Sequence, residues 1–245
     1  MSELFHKLIK FQGANGINFK ERLESLDKEF EEIAKIMLCK GFLVFNGKRV
    51  YIRDVEFYYH EEDGIMKDPI MYHVNEKDNN KEYFEVGTFN LHISGIDITF
   101  ESPNRYRASA LIRGFSVDDP NGNVDGRSTY LYEFFVGLSP FNNIIPISWK
   151  EEIYSALGEV RKTFRKNVPF YRKKGDSLIA LKPDFMSYGK KDYEPIPWKE
   201  RPPSSTIEEI EVKDIRKTAT SNKLQDTIHI WRFYRHNELK DSECL

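Results

Sequence analysis

The stretch from Arg49 to Tyr59, RVYIRDVEFYY, constrains the fold more than any other part of the chain. β-Branched and aromatic residues dominate it, and apolar side chains fall on both of its faces, which predicts a strand in the middle of a sheet. Arg53, Asp54 and Glu56 lie inside this apolar run. An unpaired charge in such a setting is expensive, so each must be paired or put to use. Upstream, Phe42 to Phe45 is a short apolar run, and Asn46-Gly47 is a strong two-residue hairpin signal. The long strand therefore returns antiparallel to the short one.

Before this hairpin, Phe19, Leu23, Leu26, Phe30, Ile33 and Met37 recur at intervals of four and three, one stripe on a helix from Asn18 to Lys40. Asn18 followed by Glu21 supplies a capping box and Gly41 a stop. The stripe suits packing on a sheet. A heptad-like seam of this kind also serves self-association, so a dimer through the N-terminal helix is the alternative to a monomer.

The chain has 245 residues, 40% of them hydrophobic and 14% aromatic, enough for a sizeable core. Its charge is nearly balanced, with a formal net charge of −2 and a pI near 6.3, so nothing draws the whole molecule to nucleic acid or to an anionic membrane. No apolar run approaches the roughly 20 residues of a spanning helix, and MSELFHKLIKF lacks the apolar core of a secretory signal. A cytoplasmic protein is expected. Cys39 and Cys244 form neither a disulfide framework nor a metal site, and Cys244 stands too near Leu245 for prenylation.

Past the long strand, residues 60 to 80 are polar and read as a long loop. Short strands are expected over 83–86, 88–93 and 96–100, then over 106–112 and 130–136 around the turn-rich Asp118-Asp119-Pro120-Asn121-Gly122-Asn123. Ser148 and Glu151 form a second capping box, which predicts a helix through about Lys166 with Ile153, Leu157, Val160 and Phe164 as its apolar face. At its end Arg161, Lys162, Arg165, Lys166, Arg172, Lys173 and Lys174 crowd together with Phe164, Phe170 and Tyr171. That composition suits phosphates and stacked bases, and it equally suits a solvated helix face followed by a basic loop. Residues 183–223 hold Pro195, Pro197, Pro202 and Pro203 and read as an irregular excursion. Thr227 to Tyr234, TIHIWRFY, closes the chain as another strand. The expected architecture is a single α+β domain over 1–245: an N-terminal helical segment over 1–41, then a core with a mostly antiparallel sheet and flanking helices.

No phosphate-binding glycine loop, zinc-ligand pair or nucleophile elbow is present. Polar residues inside strand patterns remain: Glu56, Tyr58, His92 and Arg113. A carboxylate and a guanidinium set in one sheet can jointly hold a water and take its proton. The same pair can equally be a bridge joining two strands.

In order, YIRDVEFYY (51–59), DPIMYH (68–73), GTFNLHISG (87–95), ALIRG (110–114) and WRFYR (231–235) resemble the landmarks of the alkyladenine (3-methyladenine) DNA glycosylases. That family carries an I-V-E-T-E-A-Y strand, a downstream histidine, a P-G-T-L-Y-V-Y-x-x-Y-G hairpin, an L-L-R-A strand and a final R-F-Y-V-R segment. The resemblance implies the family's curved-sheet fold, similar to the formyltransferase C-terminal-like fold, and base-excision repair of double-stranded DNA. Glu56 would be the general base that activates water, Arg113 would help hold that water, and Tyr58 would stack on a flipped base. His73 and His92 fall where a base-contacting histidine and a second stacking aromatic are expected, and Arg165, Lys166, Arg172 and Lys173 are candidates for the nucleic-acid backbone. Flipping is required because a stacked base hides its glycosidic bond. The mechanism implies no metal and no cofactor. Ser94 stands where the family carries a wedging tyrosine, and Glu101 or Ser102 where it carries a base-selecting asparagine. Matching blocks cover 42–114 and the last strand. A relative that holds a nucleobase, nucleotide or other small ligand without cleaving it is the alternative.

Overall fold

The computed structural model describes residues 1–66, 68, 71, 82–92, 95–126, 128–135, 147–152, 154, 158–163, 165, 170–174, 177–183, 207–211 and 231–235. Helix α2, Phe19–Cys39, starts where the Asn18 side chain accepts a hydrogen bond from the Glu21 amide at 3.0 Å. Glu21 completes the box differently from the simple pattern: its carboxylate accepts from Asn18 Nδ2 at 2.7 Å and from the Ile17 amide at 2.9 Å. The helix ends at Cys39, one residue short of the expected Lys40, whose amide bonds to Ile36 O, and Gly41 already belongs to the first strand. A shorter helix α1, Glu3–Lys10, precedes it, capped by Ser2, with Leu4 and Leu8 buried.

The hairpin forms as the Asn-Gly pair dictates. Strands β1 (Gly41–Phe45) and β2 (Lys48–Glu61) are antiparallel with Phe45 opposite Lys48. Asn46 and Gly47 both take positive φ, 46° and 81°, the backbone that a two-residue type I′ turn requires. Strand β2 is the spine of the sheet. Strand β5 (Tyr106–Val117) runs antiparallel beside nearly its whole length, while β1 and then β11 (Arg232–Arg235) line its other edge. The order β3 (Phe89–His92), β4 (Gly95–Thr99), β5, β2, β1, β6 (Ile147–Glu151) is completed by β7 (Val160–Thr163), which pairs with β11. All these pairs are antiparallel. The result is an α+β arrangement in which the sheet curls into a half-barrel. A three-stranded antiparallel sheet, β10-β9-β8, is formed by β8 (Phe170–Lys174), β9 (Ser177–Pro183) and β10 (Ile207–Glu211).

The register between β2 and β5 shifts between Ile52 and Val55. This bulge lets Ile52 and Val55, three residues apart, both enter the hydrophobic core, with Arg53 and Asp54 between them. From Val55 onward strict alternation holds. Val55, Phe57 and Tyr59 face the core with Ala108, Ala110 and Ile112 of β5 and Phe233 of β11. Leu23, Leu26, Phe30, Ile33 and Met37 of α2 cover that face. Phe30 is central: its ring stacks on Phe57 at 4.7 Å and meets Trp231 edge-on at 4.9 Å. From Leu23 to Met37 the α2 stripe is thus packed on the chain's own sheet.

Several local expectations are corrected. The segment from Ser148 to Lys166 is not a helix where it is described: Ile147–Glu151 pairs with β1, and Val160–Thr163 pairs with β11. Pairing with distant strands overrides the local capping pattern. Ser128–Phe135 is a 3-10 helix where a strand over 130–136 was expected, with Leu131 fully buried. Residues 83–86 form no strand, although the Phe84 amide is held by Glu101 Oε2 at 2.7 Å. The excursion at 183–223 includes a regular strand, β10.

Candidate functional site

The face of the sheet opposite α2 is polar, and alternation puts it there. In one row across the strands lie Asp97 (β4), Leu111 (β5), Glu56 (β2) and Arg232 (β11), and in the next lie Thr99, Ser109 and Tyr58. Glu56 has no exposed surface. Its Oε2 accepts from Arg113 Nε at 2.7 Å and from the Tyr58 hydroxyl at 3.0 Å, and Arg232 Nε stands 3.9 Å from Oε1. Two positions earlier, Asp54 takes Arg232 in a fork, with Nε at 2.9 and 3.1 Å from the two carboxylate oxygens and Nη2 at 2.5 Å from Oδ2. Gly114 sits opposite Asp54 in the register, and a side chain at this position would come 3.1 Å from the Asp54 Cβ. The charges that the long strand places in an apolar run are therefore each engaged. Arg53 belongs to the same account, donating to the carbonyls of Pro120 at 2.9 Å and Gly122 at 3.1 Å.

The electrostatics follow from the pairing. Burial alone disfavours the Arg113 charge, but Glu56 and Tyr58 beside it outweigh that, and its pKa is raised. Arg232 behaves likewise, with burial opposed by Asp54 and then Glu56. Burial, reinforced by the Glu56 charge, holds the Tyr58 phenol well above its ordinary value, so Tyr58 stays a neutral donor. Arg113 and Arg232 are each about one-seventh exposed, at 15% and 14% of their side chains. Arg113 donates through Nε to Glu56, and the Tyr58 hydroxyl is a further hydrogen-bonding neighbour of its guanidinium.

Glu56, Arg113 and Tyr58, which the sequence singles out, are thus brought together. Their relation differs from the expected one in two respects. The 2.7 Å bond joins Arg113 directly to Glu56 and leaves no room for a water between those two atoms. Tyr58 is not an open stacking platform: the guanidinium of Arg165 lies 4.6 Å from its ring centre, and Met71 and Leu111 pack with it.

Arg165 itself is a correction. It was a candidate for backbone phosphate, but it is 1% exposed, bonded to Asp68 at 2.5 Å and to Phe57 O at 3.2 Å, and unavailable to a phosphate there. Lys166 and His73 lie outside the described residues, as does Ser94. Arg172 and Lys173 are strand residues of β8, opposite Ile179 and Leu178, and only their backbone is described. His92 joins the polar face through Asp97, with Nε2 at 3.1 Å from Oδ2. Glu101 accepts from the Phe84 amide and stands 3.5 Å from Arg107, so it ties local segments together. Ser102 bridges to Tyr106 at a tight turn.

Asp54, Arg232, Asp97 and Asp68 complete the cluster and were not among the expected site residues. Asp54 carries a signal, a charge inside an apolar strand, and Arg232 stands in the terminal WRFYR block. Asp97 likewise lies inside an apolar strand and finds His92 five residues before it, whereas the partner of Asp68, Arg165, is 97 residues away.

Fold and site together define a curled antiparallel α+β protein whose polar sheet face is built on interlocked carboxylate and guanidinium groups. No family model, curated protein or solved structure matches the chain. Among the described residues no helix is long and apolar enough to cross a membrane.

Proposed function

We propose that the polar face of the half-barrel is a nucleotide-binding site on the plan of the alkyladenine DNA glycosylases, and that it hydrolyses the N-glycosidic bond of a flipped purine in double-stranded DNA. The observation that carries this reading is the Glu56–Arg113–Tyr58 constellation. A buried carboxylate is held by the Arg113 guanidinium, which keeps about one-seventh of its side chain exposed, and by the Tyr58 hydroxyl. In this reading Glu56 takes the proton of the attacking water through Oε1, Arg113 and Arg232 fix the carboxylate, and the partly exposed Arg113 guanidinium meets the incoming water or an anionic group of the substrate.

Binding without cleavage is favoured by a separate observation. Glu56 is sealed from solvent and Tyr58 is covered by Arg165, so water and base both need Arg113 or Arg165 to move. One experiment separates the two readings. The protein is incubated with duplexes carrying an alkylated or deaminated purine, and abasic-site formation is measured alongside thermal shifts with nucleosides. Hydrolysis predicts abasic product from wild type and a loss of roughly 100-fold or more in Glu56→Gln, the scale of a removed general base. A nucleoside-dependent rise in melting temperature without product establishes binding alone. Absence of both, or product undiminished in Glu56→Gln, overturns the proposal.

A further inference from the structure

Away from the polar face, the end of α2 meets the end of β11, and the charges there are not balanced. Arg235, the last residue of β11, is 3% exposed. Its Nε, Nη1 and Nη2 are all buried and none has a hydrogen-bond partner. Its guanidinium rests over the Tyr154 ring, 5.6 Å from the centre. Tyr154 in turn spends its hydroxyl on the last turn of α2, donating to Leu38 O at 3.0 Å and reaching Gly41 O at 3.4 Å. No carboxylate among the described residues bonds Arg235. Asp119 is near enough to act on it electrostatically, but it is exposed and takes up the Asn121 amide.

An arginine does not shed its proton to escape burial, and an aromatic face supplies attraction without accepting an N–H bond. Apart from the Tyr154 hydroxyl, which acts on it only weakly, the described surroundings of Arg235 therefore offer no acceptor. Arg53 and Lys40 act with Arg235 on the neighbouring Cys39 thiol, so the surroundings are electropositive. Burial pushes that thiol up, so it is not a thiolate that balances Arg235. Cys39 and Tyr154 beside it are only partly buried, and a small anion reaches the guanidinium when these two side chains shift.

We propose that Arg235, stacked on Tyr154 at the junction of α2 and β11, anchors a binding site for a small oxyanion, a phosphate group. The planar fork donates to two oxygens side by side, and the second positive charge of Arg53 favours a divalent anion over a monovalent carboxylate.

The test uses the full chain and inorganic phosphate, with acetate and chloride at matched ionic strength as comparisons. Wild type is expected to melt higher in phosphate, by roughly 5–10 °C at a hundredfold excess over Kd. Arg235→Met, which keeps the apolar stem and removes the charge, is expected to lose that shift. Equal melting of wild type in phosphate and chloride overturns the proposal, as does a larger shift with acetate or an undiminished shift in Arg235→Met. If Arg235→Met fails to fold, calorimetric titration of wild type with phosphate decides: saturable heat at one site supports the assignment, and no heat overturns it.

Discussion

Glu56 has no surface left to water, so its charge is carried by the protein groups around it. Arg113 and Tyr58 share one of its oxygens and Arg232 stands by the other. Breaking a buried pair from one side leaves the opposite charge uncompensated, at a cost of about 3–5 kcal/mol. Glu56→Gln is therefore expected to lose about that much stability in urea unfolding, and Arg113→Met a similar amount. The double variant should lose clearly less than the two together, because no guanidinium and carboxylate then face each other unpaired. Strict additivity would mean that the two side chains do not act as a unit. The same measurement guards the activity assay, since Glu56→Gln must be shown folded before its product yield is interpreted. The residue scale is also where the sequence is most informative. Charges at 53, 54 and 56 inside an apolar strand announce partners, and Pro120, Gly122, Arg232 and Arg113 are what they find. The partners' identities were less legible, because Arg232 is brought to Asp54 from 178 residues away. Arg165 shows the opposite failure: a basic run reads as a solvent face until Asp68, 97 residues distant, draws that guanidinium inside.

At the scale of elements, the parts set by local chemistry are those that sequence periodicity anticipates. Helix α2 begins at Asn18 because the asparagine side chain satisfies an end-of-helix amide, and the stripe behind it is the one that the sheet covers. The β1–β2 hairpin turns on Asn46 and Gly47 because both need positive φ. Replacing Gly47 with valine puts a β-branched side chain on a φ of 81°, and its Cβ meets no neighbouring atom. The expected loss is then purely conformational, about 1–3 kcal/mol by denaturant titration, whereas Gly47→Asn should cost much less. An equal loss for the two substitutions would show that packing, not backbone conformation, sets the turn. Where elements depend on remote pairing, sequence periodicity misleads. Ile147–Glu151 and Val160–Thr163 lie in a stretch with a capping box and helical spacing, yet each completes an edge of the sheet beside β1 and β11. Local preference is worth a few tenths of a kcal/mol per residue, and strand pairing over a covered core outweighs it.

For the whole molecule, one strand divides two chemistries. Strand β2 presents Val55, Phe57 and Tyr59 to the helical side and Glu56 and Tyr58 to the polar side, so the candidate site is only as rigid as the packing behind it. Phe30 is the keystone of that packing, fully buried and in ring contact with Phe57 on β2 and Trp231 at the head of β11. The Trp231 carbonyl also accepts the Phe57 amide at 2.8 Å, which couples the two strands that supply Glu56 and Arg232. Phe30→Ala should cost about 3–5 kcal/mol, as a large cavity at an aromatic contact does, and Phe30→Leu less. Because the cavity opens beneath the β2–β11 junction, the Ala variant should also lose ligand binding or turnover at the polar face at temperatures where it is still folded. Phe45→Ala, at the far end of the hairpin and equally buried, serves as the control that loses stability without that effect. If the two variants impair the polar face equally once compared at equal stability, the site is not braced through Phe30, and β2 does not transmit core packing to Glu56.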